Sequence, residues 1–397
     1  MIDLEKNKFA KYFLFSSLYF SEGLIKAVNI VILPIYFLEK GVPPEFITLI
    51  IGLITVPMII KFFWGGIVDY FIRFGRKQFI ILGGLLSIIS LFLLTFIDPE
   101  NGMIFFAILL FVTWTGVGFL DVSADAWAIE ISKEKERGKI NGAMFAGQNI
   151  GVSCGAIILP FISKLVGYEA VFSFSALIVL LIIIFPMIIK DSKIVKTSQK
   201  VGRILVNEFK KKTTLLVAFF GFLLALPIGL LMLVAPIYMN INLQLDITQI
   251  GLITMIFTLF TAVGSIFGGS IADKWGRKNS LYLFIVLSLV FSAMLIFSNS
   301  WQNFVLVFSI IGFLQGGYFA SFMAIAMDIT NPRVGATQFS IFTGVANFGM
   351  LGLGIISGTL FVMLGTFRLF LYSALLFGPA LLILYFIRYK IKTKVKK

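Results

Sequence analysis

Twelve stretches of the chain are each long and apolar enough to cross a lipid bilayer, and that leaves few folds open. A spanning helix needs roughly 20 apolar residues, because each residue rises about 1.5 Å through hydrocarbon about 30 Å thick. The stretches cover 10–38, 46–64, 78–97, 103–131, 140–163, 169–189, 213–239, 247–268, 280–298, 302–329, 336–363 and 368–389. Hydrocarbon offers no water to backbone N–H and C=O groups, so only helices and closed β-barrels span it. Barrel strands alternate apolar and polar residues over about ten positions. These runs are apolar throughout, which excludes a barrel. With 59% hydrophobic and 13% charged residues, a water-soluble domain is excluded as well. The expected class is an all-α membrane protein with twelve transmembrane helices, its partner the lipid bilayer.

The net charge of +14 is explained by topology. Lys and Arg crowd alternate loops: Arg73, Arg76 and Lys77; Lys133 to Lys139; Lys190 to Lys212; Lys274, Arg277 and Lys278; Arg333; and the tail from Arg388. The opposite loops hold only Lys40, Lys164 and Arg368. The positive-inside rule therefore predicts a multi-pass protein of the plasma (inner) membrane with both termini cytoplasmic. The same loops need no nucleic acid to explain them, and none is expected as a partner. The first run is too long for a signal-peptide core and lacks a small-x-small cleavage site, so it is read as the first span. Cys154 is the single cysteine, which excludes internal disulfides and cysteine metal sites. The chain has no histidine, so proton chemistry near neutral pH would fall to carboxylates. No metal or cofactor is expected.

A polar phrase interrupts the chain twice, about half its length apart. Gly65-Gly66-Ile67-Val68-Asp69 runs on to Gly75-Arg76-Lys77, and Gly269-Ser270-Ile271-Ala272-Asp273 to Gly276-Arg277-Lys278. A second echo links Glu130, Arg137, Gly147 and Asn149 to Asp328, Arg333, Gly344 and Asn347. Internal duplication predicts two pseudo-symmetric six-helix bundles, 1–190 and 213–397, joined by a cytoplasmic linker at 191–212. Within that linker, 193–209 is either a surface helix, with Ile194, Val195, Val201, Ile204, Leu205, Val206 and Phe209 as its apolar side, or a solvated basic tether.

The pattern Gly-x-x-x-Asp-(Arg/Lys)-x-Gly-Arg-(Arg/Lys) resembles the signature of the major facilitator superfamily, and 269–278 matches it at every position. The first copy departs by three inserted residues before Gly75. With Lys61-Phe62-Phe63-Trp64, Asp121-Val122-Ser123-Ala124-Asp125-Ala126-Trp127 and Glu136-Arg137-Gly138, the first half resembles the muropeptide permease and acetyl-coenzyme A transporter branch. Leu120 stands where that branch would have glutamine, and substrate identity does not carry over. The resemblance implies two bundles around a central cavity that rock between inward-open and outward-open states, lined by the first and fourth helices of each half. It also implies that Asp69 faces the start of span 11, that Arg73 or Arg76 reaches Glu130, and that Asp273, Arg277 and Asp328 repeat this latch. Lys77 and Lys278 belong to the same gating loops, with Gly65, Gly75, Gly269 and Gly276 expected to allow tight turns and close helix approach.

A charge at the bilayer centre costs roughly 2.5–3.5 kcal/mol on insertion scales, so an intramembrane ion is a functional candidate. Glu22 and Lys26 lie one helical turn apart in span 1, with Asn29 one turn further, and Asp121 and Asp125 repeat the spacing in span 4. Counted from the cytoplasmic ends, Glu22 and Asp121 fall at similar depth and are expected to share one polar cluster. Two carboxylates a turn apart in a low dielectric do not both ionise readily. The functional reading has Asp121 or Asp125, with Glu22, carry a coupling proton, while Glu22, Lys26, Asn29 and Trp127 meet a small-molecule substrate. The structural reading is a permanent Glu22–Lys26 salt bridge, with Asp125 capping a polar helix contact. The second half offers no charge in span 7, only Tyr238 and Asn240 at its outer end, with Gln315 and Tyr318 inside span 10 as candidate contacts. In span 5, Gln148 and Asn149 either face the cavity or bond a neighbouring helix. Gly147, Gly151 and Gly155 there, and Gly264 and Gly268 in span 8, form small-residue ridges for packing.

Three functions stay open: a proton-coupled transporter of a small organic, amphiphilic or charged solute; a passive facilitator or exporter on the same fold; and a membrane sensor that keeps the fold without transport. The intact second motif and the intramembrane acids argue against the sensor. No nucleophile–base constellation or nucleotide loop points to an enzyme. The working unit is expected to be a monomer.

Overall fold

The computed structural model describes residues 4, 7–131, 134–190, 201–298, 300–331 and 335–387. All its regular elements are helices: α1 (Lys8–Glu39), α2 (Pro44–Ile54), α3 (Val56–Ile59), α4 (Lys61–Tyr70), α5 (Arg76–Leu94), α6 (Pro99–Ile131), α7 (Glu134–Val166), α8 (Tyr168–Ile188), α9 (Val201–Phe209), α10 (Lys212–Ile241), α11 (Ile247–Trp275), α12 (Arg277–Met294), α13 (Trp301–Ile329), α14 (Gly335–Leu375) and α15 (Phe377–Phe386). Ten runs among the described residues are long and apolar enough to cross a membrane. The last of these, Gln338–Phe386, holds the eleventh and twelfth expected spans, separated by the bend at Gly365, where φ is 72°.

The second expected span is not one helix, and this corrects the sequence reading. Pro57 has no N–H to give to the Leu53 carbonyl, so the α-helical ladder cannot run through it. Thr55 Oγ1 donates instead to the carbonyls of Ile51 and Gly52 at 3.0 and 2.9 Å. After the second break, at Ile60, the indole N–H of Trp64 donates to Pro57 O at 2.9 Å. Side chains thus supply the donors that hydrocarbon cannot. A related irregularity lies in α1, where Val28–Ile32 is a π-helical turn just before Pro34. The proline again lacks the N–H that would continue the ladder, and the wider turn absorbs the misfit.

The chain divides into two compact units. One comprises the described residues of Met1–Lys196, Met232–Leu259 and Gly354–Met363. In lipid, apolar side chains gain little by leaving one oily phase for another, so close packing and hydrogen bonds must hold the helices. The glycine ridge of α7 does this against α1. A Cβ at Gly147 would lie 2.2 Å from Ser16 O, one at Gly151 2.2 Å from Phe20 O, and one at Gly23 2.0 Å from Gln148 O. Those distances admit no side chain, so the two backbones touch along this line. Ser153 and Thr258 hydroxyls meet at 3.0 Å, Thr48 Oγ1 donates to Ile355 O at 3.1 Å, and Gly358 N–H donates to Thr48 at 2.9 Å.

Asp246 starts α11 with a reciprocal cap. Its carboxylate accepts from Thr248 and Gln249 N–H at 2.8 and 2.9 Å, while Gln249 Oε1 accepts from Asp246 N–H at 3.0 Å. Burial opposes its charge, but the Gln249 N–H, Lys164 at 2.9 Å and the Thr248 N–H hold its carboxyl below the usual carboxylate range.

The second unit comprises the described residues of Thr197–Leu231, Phe260–Leu353 and Leu364–Lys397, around a core of Phe220, Phe284, Tyr318, Phe322, Phe342 and Phe377. Here the ridge of α11 meets α13: a Cβ at Gly264 would lie 1.9 Å from Phe313 O, and one at Gly268 2.4 Å from Gly317 Cα. The linker forms a helix over α9, while the expected positions Ile194 and Val195 lie outside the described residues. Phe209 packs its ring 5.9 Å from that of Phe342, and Glu208 accepts from Asn331 Nδ2 at 2.7 Å. Val206 turns outward, 57% exposed.

The exposed Lys164–Asp246 pair contributes little beside the helix cap. Asp246→Ala is expected to cost about 1 kcal/mol and Asp246→Asn, which can still cap, only a few tenths. Thermal melting in detergent measures both, and an equal loss in the two variants would show that the ion pair dominates.

Candidate functional site

The first unit gathers five charged residues and a tyrosine from three helices. On α1, Tyr19, Glu22, Lys26 and Asn29 recur at intervals of one turn and share a face. Asp121 and Asp125 do the same on α6, and Lys61 arrives from the first turn of α4. Its Nζ lies 3.0 Å from Asp121 Oδ2. The Tyr19 hydroxyl reaches both acids, standing 2.9 Å from Asp121 Oδ1 and 2.6 Å from Asp125 Oδ1. Lys26 Nζ is 2.9 Å from Glu22 Oε1. Glu22 and Asp121 are close enough to interact electrostatically.

Burial is uneven across the cluster. Glu22 and Asp121 are buried, Tyr19 and Asp125 half-buried, and the Lys26 side chain is 31% exposed. Glu22 Oε2 and Asn29 Oδ1 are buried oxygens with no hydrogen-bond partner. Tyr19 was not singled out by the sequence reading, and Lys61 was noted only within a family motif, not as a site residue. Lys61 lies inside the apolar run 46–64 and is an intramembrane charge by the same criterion as the others. Tyr19 is one turn before Glu22 on its face, a signal hidden among many aromatic residues.

The remaining candidates fall elsewhere. Trp127 is buried in the first unit's core with its ring edge on Phe15, and its indole N–H has no hydrogen-bond partner. Asn149 donates to Phe145 O on its own helix at 2.9 Å, and Gln148 is half-buried. In the second unit Tyr318 packs in the core, its ring centroid 5.9 Å from that of Phe377, and Gln315 Oε1 is buried without a partner. Asn240 Nδ2 donates to Leu245 O at 3.2 Å.

The side chains of Asp69, Glu130 and Asp273 lie outside the described residues. Arg277 Nε stands 3.4 Å from Asp328 Oδ2, and the Arg73 guanidinium lies 4.8 Å over the Phe74 ring. Arg76 is buried. Gly75 and Gly276 have φ of 85° and 87°, the left-handed region that a turn into α5 and α12 requires. Gly269, by contrast, has open space where a Cβ would be, so close helix approach does not explain it, whereas a Cβ at Gly65 would crowd Val122 on α6 at 3.3 Å. The motif lysines have a role the sequence reading did not foresee. Lys77 Nζ donates to Ile189 O at 3.1 Å, and Lys278 Nζ to Ile387 O at 2.9 Å and Tyr385 O at 3.3 Å. Each cation satisfies carbonyls at the end of α8 or α15, where the helix dipole is negative.

Removing one member of a buried ion pair strands the other charge, at a cost of about 3–5 kcal/mol. Lys61→Met is therefore expected to lower stability by roughly that amount, and adding Asp121→Asn to recover most of it. Melting of the single and double variants in detergent decides this; losses that simply add would mean that the two side chains do not depend on each other.

The sequence profile of the Major Facilitator Superfamily matches residues 15–224 and 217–397. A protein of Rickettsia typhi that bears the transporter name AmpG 2 is 24% identical over 84% of this chain and 85% of its own length. The anhydromuropeptide permease of Escherichia coli K12 is 22% identical over 84% of this chain and 71% of its own. The crystal structure of the nucleoside transporter NupG, solved as a mutant, superposes with a TM-score of 0.76 at 13% identity, covering 96% of this chain and 100% of that one. With both halves of the chain under the family profile and the fold shared end to end, the protein belongs to the major facilitator superfamily, as a multi-pass membrane transporter of small solutes and not an enzyme.

Proposed function

We propose that the chain is a proton-coupled transporter that moves a small organic solute by alternating access of its two six-helix halves, with Asp125 as the proton carrier. The observation that carries this reading is the Tyr19 hydroxyl, 2.9 Å from one carboxyl and 2.6 Å from the other. A phenol has one proton to offer and cannot fully satisfy two ionised carboxylates at once. Two carboxyls sharing that one donor favour a state in which one is ionised and the other neutral. Lys61 pairs with Asp121, while among the described residues the Tyr19 hydroxyl is the only hydrogen-bond donor to Asp125, so of the two carboxyls Asp125 is the one without a cation paired with it and is assigned the proton. In that state two lysines balance Glu22 and Asp121. Loss of the proton from Asp125, which is half-buried, leaves the cluster one negative charge in excess and ready to be refilled.

The E. coli relative's name suggests the solute class, an anhydromuropeptide, and a cluster with charges of both signs suits such a compound. Glu22, Lys26 and Asn29 are assigned to solute contact. The Arg277–Asp328 pair, with its counterpart around Arg73, Arg76 and Glu130, acts as a cytoplasmic latch. The basic loops orient both termini to the cytoplasm of the plasma membrane.

For each proton moved with the solute, a gradient of about 1 pH unit sustains up to about tenfold accumulation. Purified protein in liposomes is expected to accumulate an anhydromuropeptide to that extent and to move protons with it. Asp125→Asn is expected to lower accumulation at this gradient about tenfold, by removing the proton that Asp125 carries, but to leave exchange of labelled for unlabelled solute. Wild-type uptake unaffected by collapse of the gradient would make the protein a facilitator and the carboxyls binding groups.

A further inference from the structure

We infer that Lys26 binds an anionic group of the solute, a carboxylate or its equivalent, and that Glu22 is the counter-ion this group displaces. The inference rests on the transport reading above and adds the chemical class of the solute and a second point of proton entry.

The Glu22–Lys26 pair is lopsided. Its acid is 2% exposed, while its lysine side chain is 31% exposed. Buried carboxylates ordinarily collect several donors. Glu22 Oε1 has Lys26 at 2.9 Å, but Oε2 is buried without a hydrogen-bond partner. Asn29 Oδ1, one turn beyond Lys26, is likewise buried and unpartnered. Incomplete satisfaction of this kind suits groups whose partners change during a cycle. The other charged or titratable groups near Glu22 are Tyr19 on its own helix, Asp121 and Asp125 from α6, and Lys61 from α4. Lys61 is committed to Asp121 and its side chain is only 13% exposed. Of the two lysines, Lys26 is the one that a solute can reach.

Ion exchange then follows from charge balance. A solute carboxylate that pairs with Lys26 leaves Glu22 without a cation, in surroundings where a lone ionised carboxylate is strongly disfavoured. Glu22 therefore takes a proton from water. The start is a Lys26 ammonium paired with a Glu22 carboxylate, a free solute carboxylate and one proton; the end is the ammonium paired with the solute and Glu22 as the neutral acid. No net charge is added to the site, and the anion cannot enter without a proton.

The test compares an anhydromuropeptide carrying free carboxylates with its methyl ester, by calorimetry on purified full-length protein in weakly buffered detergent solution containing a pH dye. Wild type is expected to bind the free acid at least about tenfold more tightly than the ester and to take up a proton as it does so. Lys26→Gln is expected to lose this discrimination and Lys26→Arg to keep it. Glu22→Gln should bind the free acid at least as tightly as wild type but without proton uptake, a result that a purely structural salt bridge would not produce. Equal binding of acid and ester by wild type, or discrimination surviving in Lys26→Gln, overturns the anion site. Binding of neither compound overturns it together with the proposed solute class. Asp125→Asn separates the two ideas: discrimination and proton uptake on binding kept while accumulation falls about tenfold supports both, and undiminished accumulation in that variant counts against the Asp125 reading alone.

Discussion

Hydrocarbon gives no hydrogen bonds, and nearly every structural decision in this protein answers that constraint. The apolar runs become helices because a helix pairs its own backbone groups. Where proline interrupts the ladder, the structure adapts locally: the side chains of Thr55 and Trp64 donate to the carbonyls of Ile51, Gly52 and Pro57 around the break, and a widened turn precedes Pro34. Where a helix ends, Lys77 and Lys278 reach carbonyls near the ends of α8 and α15. Each repair uses a residue that a purely apolar span would not need, and the duplicated motif supplies the same repair in both halves of the chain.

The helix breaks also position chemistry. An unbroken second span would carry Lys61 along one straight axis. The breaks at Thr55 and Ile60 instead start a new helix at Lys61, and its ammonium meets Asp121 at 3.0 Å. That contact compensates one carboxylate of a pair and leaves the other to share the Tyr19 hydroxyl. The environments of Asp121 and Asp125 differ by which of them the lysine reaches. Their spacing along α6 is symmetrical in this respect and does not distinguish them.

Packing against α7 keeps the cluster in register. Gly23 lies beside Glu22 and touches the Gln148 carbonyl, while Gly151 lies against Phe20, so α1 cannot slide or rotate without backbone collision. A stripe read in the sequence as packing material thereby fixes which face of α1 looks toward α6. The cost of a polar cluster in a membrane is borne by this rigid frame together with the internal neutralisation of four of its charges.

Hydropathy, charge asymmetry and the repeated motif made the class, the expected number of spans and the duplication legible, because each depends on a residue and its neighbours along the chain. The i, i+4 acids of span 4 and the Glu22–Lys26 pair were legible for the same reason, as was the Gly147-Gly151-Gly155 ridge. Lys61 was noted only as part of a family motif and not as an intramembrane charge, because it stood near the end of a run taken as one helix, and Tyr19 was passed over because a tyrosine in a Phe-rich chain carries no distinctive signal. Their roles depend on distances between residues 60 to 106 positions apart, set by helix breaks and backbone contact. Local pattern could say that charges lie within the membrane; only the packed helices could say which charge compensates which, since a hydrogen bond is decided within about 3 Å in space and not by separation along the chain.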